Sequence, residues 1–168
     1  MFYTKIFLLY SLLGFIMEST LYKYKRINKH SGIFYGPMTA VYGVGIVSIE
    51  LLNKYFFKKL KCHKIIKLII EFLILTIVLS LIELIGGNIL NYLFDIDMWN
   101  YSHIKPNIGK YVCLRNSLIW GVLGVAYIQI FKPFTDKIIN IISIKETYFF
   151  LALFILDIII TLITKLSI

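Results

Sequence analysis

The chain has 168 residues, 59% of them hydrophobic and only 16% charged, with a mean hydropathy of +0.81. Soluble domains run at about 45–50% apolar and about 25% charged, so composition excludes a water-soluble enzyme of one compact domain. The abundance of Leu, Ile and Phe likewise excludes intrinsic disorder. Lys and Arg number 18 against 9 Asp and Glu, a net charge of +9. Most of the basic residues flank apolar runs, as in Lys58-Lys59-Leu60-Lys61. That placement suits membrane lipids with anionic headgroups and argues for no nucleic acid partner.

In chain order, Lys5 precedes the apolar run 6–17, but Glu18 follows it without a small-residue cleavage site, so an uncleaved first helix over about 2–22 is expected. The second apolar segment, 37–52, is short and glycine-rich. The third covers about 65–94, longer than a crossing of ~20 residues needs, and should tilt or project. The fourth covers about 111–131, where Lys132-Pro133 is expected to end it. The fifth, about 148–166, is the most uniformly apolar and is broken only by Asp157 and a few threonines. Nothing in the sequence suggests a strand. Apolar segments in a bilayer must satisfy their own backbone hydrogen bonds, so the expected fold is all-α. It is a single multi-pass transmembrane domain over 1–168, a bundle of about five hydrophobic helices. With five plain crossings and the N-terminus inside, ten basic residues face the cytoplasm and eight lie outside. If 37–52 is re-entrant and the N-terminus outside, the split becomes 13 against five. The positive-inside rule prefers the second arrangement, while five crossings are simpler.

Ionisable residues at mid-membrane cost about 3 kcal/mol each on insertion scales and usually face the protein interior. Glu18, Glu83 and Asp157 are the candidates, each on a helical polar stripe. Ser11, Gly14, Glu18 and Tyr22 share a face of the first helix, and Thr76, Ser80, Glu83, Gly87 and Asn91 one of the third. Asp157, Thr161 and Thr164 share one on the fifth, while Glu71 is expected on the face opposite Glu83. Small and hydroxylated residues at such spacing are explained by helix packing alone, and a protonated Asp157 can merely bond a neighbouring helix. Glu18 and Glu83 are not so explained, and Glu18, Glu83, Arg115 and Asp157 form the candidate buried polar site. Arg115, early in the fourth segment, either snorkels to headgroups or pairs with Glu18 or Glu83. Ser117, Gly121 and Gly124 suggest close helix packing. Trp99 and Tyr101 after the third helix suggest an interfacial belt, and Pro106 to Gly109 a turn.

The sequence has no Walker A, HExxH, CxxC or GxSxG pattern. Cys62 and Cys113 make no metal or redox spacing, and His30, His63 and His103 are scattered over different loops. No catalytic residue, metal site or cofactor is therefore assigned.

A set of motifs runs through the chain: Gly14-x-x-x-Glu18, Gly32, Gly36-Pro37, Tyr42-Gly43-x-Gly45, Glu83 with Gly86-Gly87, Trp99-Asn100-Tyr101-Ser102, Asn107-x-Gly109, Cys113-Leu114-Arg115-x-Ser117 and Trp120-Gly121. Their order resembles the putative ABC-transporter type IV (CmpB-like) permease family of small multi-pass membrane proteins, over about residues 10–133. The chain departs from that pattern at Phe15, Asn100 and Lys110, where Trp, Asp and Arg are usual. The resemblance implies a cell-membrane transport subunit working with a separate ATPase, and the small size implies a homo-oligomer. The rival expectation is a non-transport membrane regulator or a lipid or envelope homeostasis factor. A membrane-embedded enzyme using Glu18 or Glu83 as acid or base ranks third, since no nucleophile or metal set completes it.

Overall fold

The computed structural model describes residues 1–24 and 32–166. Its helices are α1 (Phe2–Tyr24), α2 (Ala40–Tyr55), α3 (Lys64–Phe94), α4 (Leu114–Ala126), α5 (Lys132–Ile141) and α6 (Ile144–Leu166). A 3-10 turn at Phe57–Lys59 follows α2. Four helical runs are long and apolar enough to cross a membrane: α1, α3, the continuous run Leu114–Ile141, and α6. The architecture is the expected all-α bundle.

The helices alternate in direction. Lys54 near the end of α2 sits over Tyr3 at the start of α1, whereas Tyr42 at the start of α2 reaches Glu18 near the end of α1. The segment 37–52 is thus no re-entrant hairpin. It forms most of one uninterrupted helix of 16 residues, roughly 24 Å long and shorter than a hydrocarbon core of about 30 Å. A non-helical stretch precedes it, held to the bundle by the Thr39 amide donating to the Ser11 carbonyl at 3.0 Å. The core is built from Ile49, Phe57, Leu75, Leu79 and Tyr127, with a second cluster of Leu8, Met38 and Phe154. Outward positions on α3 such as Ile69, Leu73, Ile77, Leu81 and Ile85 are exposed large apolar side chains, the surface expected of helices that meet lipid.

Three sequence expectations are corrected. Pro133 does not end the fourth helix. The run continues to Ile141 through a π turn at Tyr127–Phe131, where the Lys132 amide donates to Tyr127 O. Proline has no N–H to give and its ring crowds the carbonyl four residues back; the wider π turn accommodates both. Second, a two-residue antiparallel ladder forms in the loop after α3, β1 (Asn107–Ile108) with β2 (Val112–Cys113), in the register Asn107 with Cys113. Third, Glu71 is not turned away from Glu83. Glu71, Leu75, Leu79, Glu83 and Gly87 form one buried line along α3. Steps of four residues drift slowly round a helix, and a neighbour crossing at an angle follows that drift.

Candidate functional site

At one end of the bundle, α1 and α2 approach closely because Gly14 leaves room for the Tyr42 ring; a Cβ there would strike it. Gly43 does the same for Phe7 and Ser11. So seated, the Tyr42 hydroxyl donates to Glu18 Oε1 at 2.8 Å. Its ring meets Trp120 of α4 edge-on, with centroids 5.7 Å apart. On the far side of Trp120 lies Glu83 of α3, only 6% exposed. Tyr101 closes the site from the loop, its hydroxyl 3.4 Å from Glu83 Oε1. Glu83 Oε2 and Trp120 Nε1 are both buried and face each other without a well-formed hydrogen bond. Ser11 Oγ and Glu71 Oε1 are likewise buried without a hydrogen bond among the described residues; such an atom costs about 1–3 kcal/mol.

The loop 95–113 delivers Tyr101 because it is tightly braced. Asp97 accepts from Asn91 Nδ2 (3.1 Å), Lys110 Nζ (3.1 Å) and the Tyr111 hydroxyl (2.6 Å). Asn107 Nδ2 donates to the carbonyls of Tyr101, Ser102 and Gly109, and Gly109 turns the ladder with a φ of 60°, which costs glycine little. Gly87 makes room on α3 for the Tyr111 ring. Trp99 packs edge-on against that ring and its indole N–H donates to Tyr111 O at 3.2 Å, so it braces the loop. The hydrogen bond from Tyr111, followed by that from Lys110, holds the Asp97 carboxyl below its ordinary value. Burial first, then Asp97, pushes the Tyr111 hydroxyl up to about 12. Burial and the nearby Glu83 carboxylate raise Tyr101 as well.

Among the described residues Glu18 and Glu83 are thus connected only through the contact of Tyr42 with Trp120, with Tyr101 beside Glu83, and Asp157 and Arg115 lie outside this cluster. Asp157 accepts the amides of Tyr35 and Gly36, each at 3.0 Å. With Lys165 Nζ on Ile33 O at 2.7 Å, it fastens the stretch before α2 to α6. Gly36 is needed there, since a Cβ would crowd Asp157 Oδ2, while Pro37 is exposed. Arg115, in the first turn of α4, is exposed and pairs with neither Glu18 nor Glu83. At a helix start on the bundle's rim its charge stays solvated, so no desolvation is repaid by pairing. Ser117, Gly121 and Gly124 do pack on α3: Ser80 donates to Ser117 at 2.7 Å, and Gly121 sits against Thr76 and Phe72. His103 is exposed, and His30 lies outside the described residues.

A second polar cluster, at the opposite end, was not anticipated. Glu50 of α2, 4% exposed, takes Lys132 Nζ on both oxygens at 2.6 and 2.8 Å and the Tyr127 hydroxyl at 2.6 Å. Two residues on, Gln129 donates to the fully buried Glu71 at 2.9 Å. Both contacts come from the π turn, which presents Tyr127 and Gln129 to carboxylates on two different helices. The one trace in the sequence is the polar trio of Gln129, Lys132 and Glu50 at the edges of apolar segments.

A family model described as "Putative ABC-transporter type IV" matches residues 5–165. No curated protein and no solved structure matches the chain. The family match extends past Pro133, where the recognisable motifs stop, through the whole of α5 and nearly all of α6. Tyr42, Glu83, Tyr101 and Trp120, which carry the sequence resemblance, are the side chains gathered at the site. By this match over nearly its whole length, the chain belongs to the putative ABC-transporter type IV (CmpB) family.

Proposed function

We propose that the protein is a multi-pass cell-membrane subunit of permease type, working with a separate ATPase, and that Glu18 and Glu83 form its polar site. The observation that supports this reading best is the pair of inward carboxylates on α1 and α3, linked through Tyr42, Trp120 and Tyr101. Packing does not call for carboxylates inside a bundle whose outer faces are apolar. Glu83 Oε2, which meets the Trp120 indole N–H without a well-formed hydrogen bond, gives a passing polar or cationic group something to bind. Tyr101, mounted on the braced loop, is placed to respond to movement there. A homo-oligomer would extend a pathway that a single short bundle accommodates poorly, and the exposed basic residues Lys59, Lys61 and Lys145 offer the ATPase a docking surface.

The test is purification of the tagged protein in mild detergent with mass spectrometry of what co-purifies. A stoichiometric ATPase is expected, with hydrolysis that changes in Glu83→Gln at unchanged protein abundance. Recovery of the protein alone, or with lipid enzymes and no ATPase, would replace this reading with a regulator or lipid-homeostasis factor.

A further inference from the structure

At the end of the bundle remote from Glu83, an open cleft of about 520 Å³ lies between the start of α1, the end of α2 and α5. Its walls are Phe2 and Tyr3 on one side and Lys54, Lys58 and Asn140 on the others. Two carboxylates and a third lysine also line it, Lys132 binding both Glu50 and Asp136, so the lining keeps a net positive charge carried on the side of Lys54 and Lys58. Among the described residues Lys54 and Lys58 form no ion pair, and Lys54 Nζ is held over the rings of Tyr3 and Tyr55, 5.9 and 5.0 Å from their centroids. Tyr55 in turn lines a second hollow of about 510 Å³ along the outer face of α2, with Ser48, Leu51, Leu52 and Phe56. A basic, aromatic-walled cleft and an apolar groove thus meet at Lys54 and Tyr55.

We propose that this pair of cavities is a binding site for one anionic phospholipid, its phosphate between Lys54 and Lys58 and an acyl chain along the α2 groove. Three features favour a lipid over a free anion. The cleft lies at the bundle's end, where headgroups would be. The apolar groove begins where the cationic cleft stops. Phe2, Tyr3 and Tyr55 provide the ring edges and faces that suit the glycerol region at an interface. The net positive lining, with Lys54 and Lys58 outside the Lys132 ion pairs, selects an anionic headgroup over a zwitterionic one. The site rests on the membrane placement proposed above and not on transport, so loss of ATPase coupling and loss of lipid retention are separate results.

The experiment is native mass spectrometry of the delipidated full-length protein, titrated with phosphatidylglycerol or phosphatidylcholine. Phosphatidylglycerol should be retained at a concentration about tenfold lower than phosphatidylcholine. The Lys54→Gln/Lys58→Gln double variant should erase the difference, whereas Lys61→Gln/Lys145→Gln should keep it. Equal retention of the two lipids by the wild type would overturn the proposal without any variant being needed. Equal losses in both double variants would also overturn it, leaving only diffuse surface charge. Inorganic phosphate binding that depends on Lys54 and Lys58, with no preference between the lipids, would assign the cleft to a free anion instead.

Discussion

Asp97 shows how much one side chain can hold. It joins α3 through Asn91 to the loop through Lys110 and Tyr111, and so keeps Tyr101 in reach of Glu83. Its carboxyl is lowered in the folded chain. The stabilisation it supplies is therefore fully present above the unfolded value of about 3.9, and is lost as pH falls through the lower folded value. In a Trp120→Phe background Trp99 is the sole tryptophan, and its emission should shift to the red as acid protonates Asp97. The same titration in Asp97→Asn should be flat. At this scale the sequence was only half legible. Helical spacing, a local 3.6-residue period, predicts inward faces for Glu18 and Glu83; Glu83 is 6% exposed and Glu18 half-buried. Asp157 has equally good spacing, yet its role as a tether depends on the amides of Tyr35 and Gly36, more than 120 positions away.

At the scale of elements, α2 and the π turn were the least legible. Glycines in 37–52 are compatible with a broken or re-entrant backbone, but Gly14 and Gly43 serve close approach between α1 and α2, and α2 stays helical because its neighbours cover it. The π turn arises from Pro133 and puts Lys132 on Glu50. Breaking one partner of a buried pair typically costs about 3–5 kcal/mol, while an apolar replacement of both costs far less. Glu50→Leu and Lys132→Met should each destabilise the protein by about that amount, with the double variant recovering most of the loss. A double-mutant cycle on thermal unfolding in detergent checks this; additive losses would mean that the pair does not couple α2 to α5.

For the whole molecule, alternating helices put the N-terminus, the turn around Lys58 and the α5–α6 junction at one end. The loop 95–113 and the end of α6 lie at the other. Five crossings with the N-terminus inside would make the first end cytoplasmic, a split of ten basic residues against eight that does not by itself choose an orientation. Cys62, exposed in that turn, and Cys113, buried under the loop, report on this directly. A membrane-impermeant maleimide should leave intact cells unlabelled and label Cys62 once they are permeabilised. Labelling of Cys62 in intact cells would reverse the orientation.

Helix class, approximate spans and the family were readable from residue order, since each rests on local apolar content or motif spacing. Which polar groups meet was not readable. The partnership of Glu18 with Tyr42 spans 24 positions, that of Glu83 with Tyr101 18, and that of Glu50 with Lys132 82. Each depends on how close two helices pack and at what angle, quantities set by the joint shape of glycines and rings on different segments. For the same reason Arg115 looked like a partner in the sequence and lies solvated on the rim: charge and proximity to an apolar run are local properties, whereas the direction a helix start faces is fixed by the bundle.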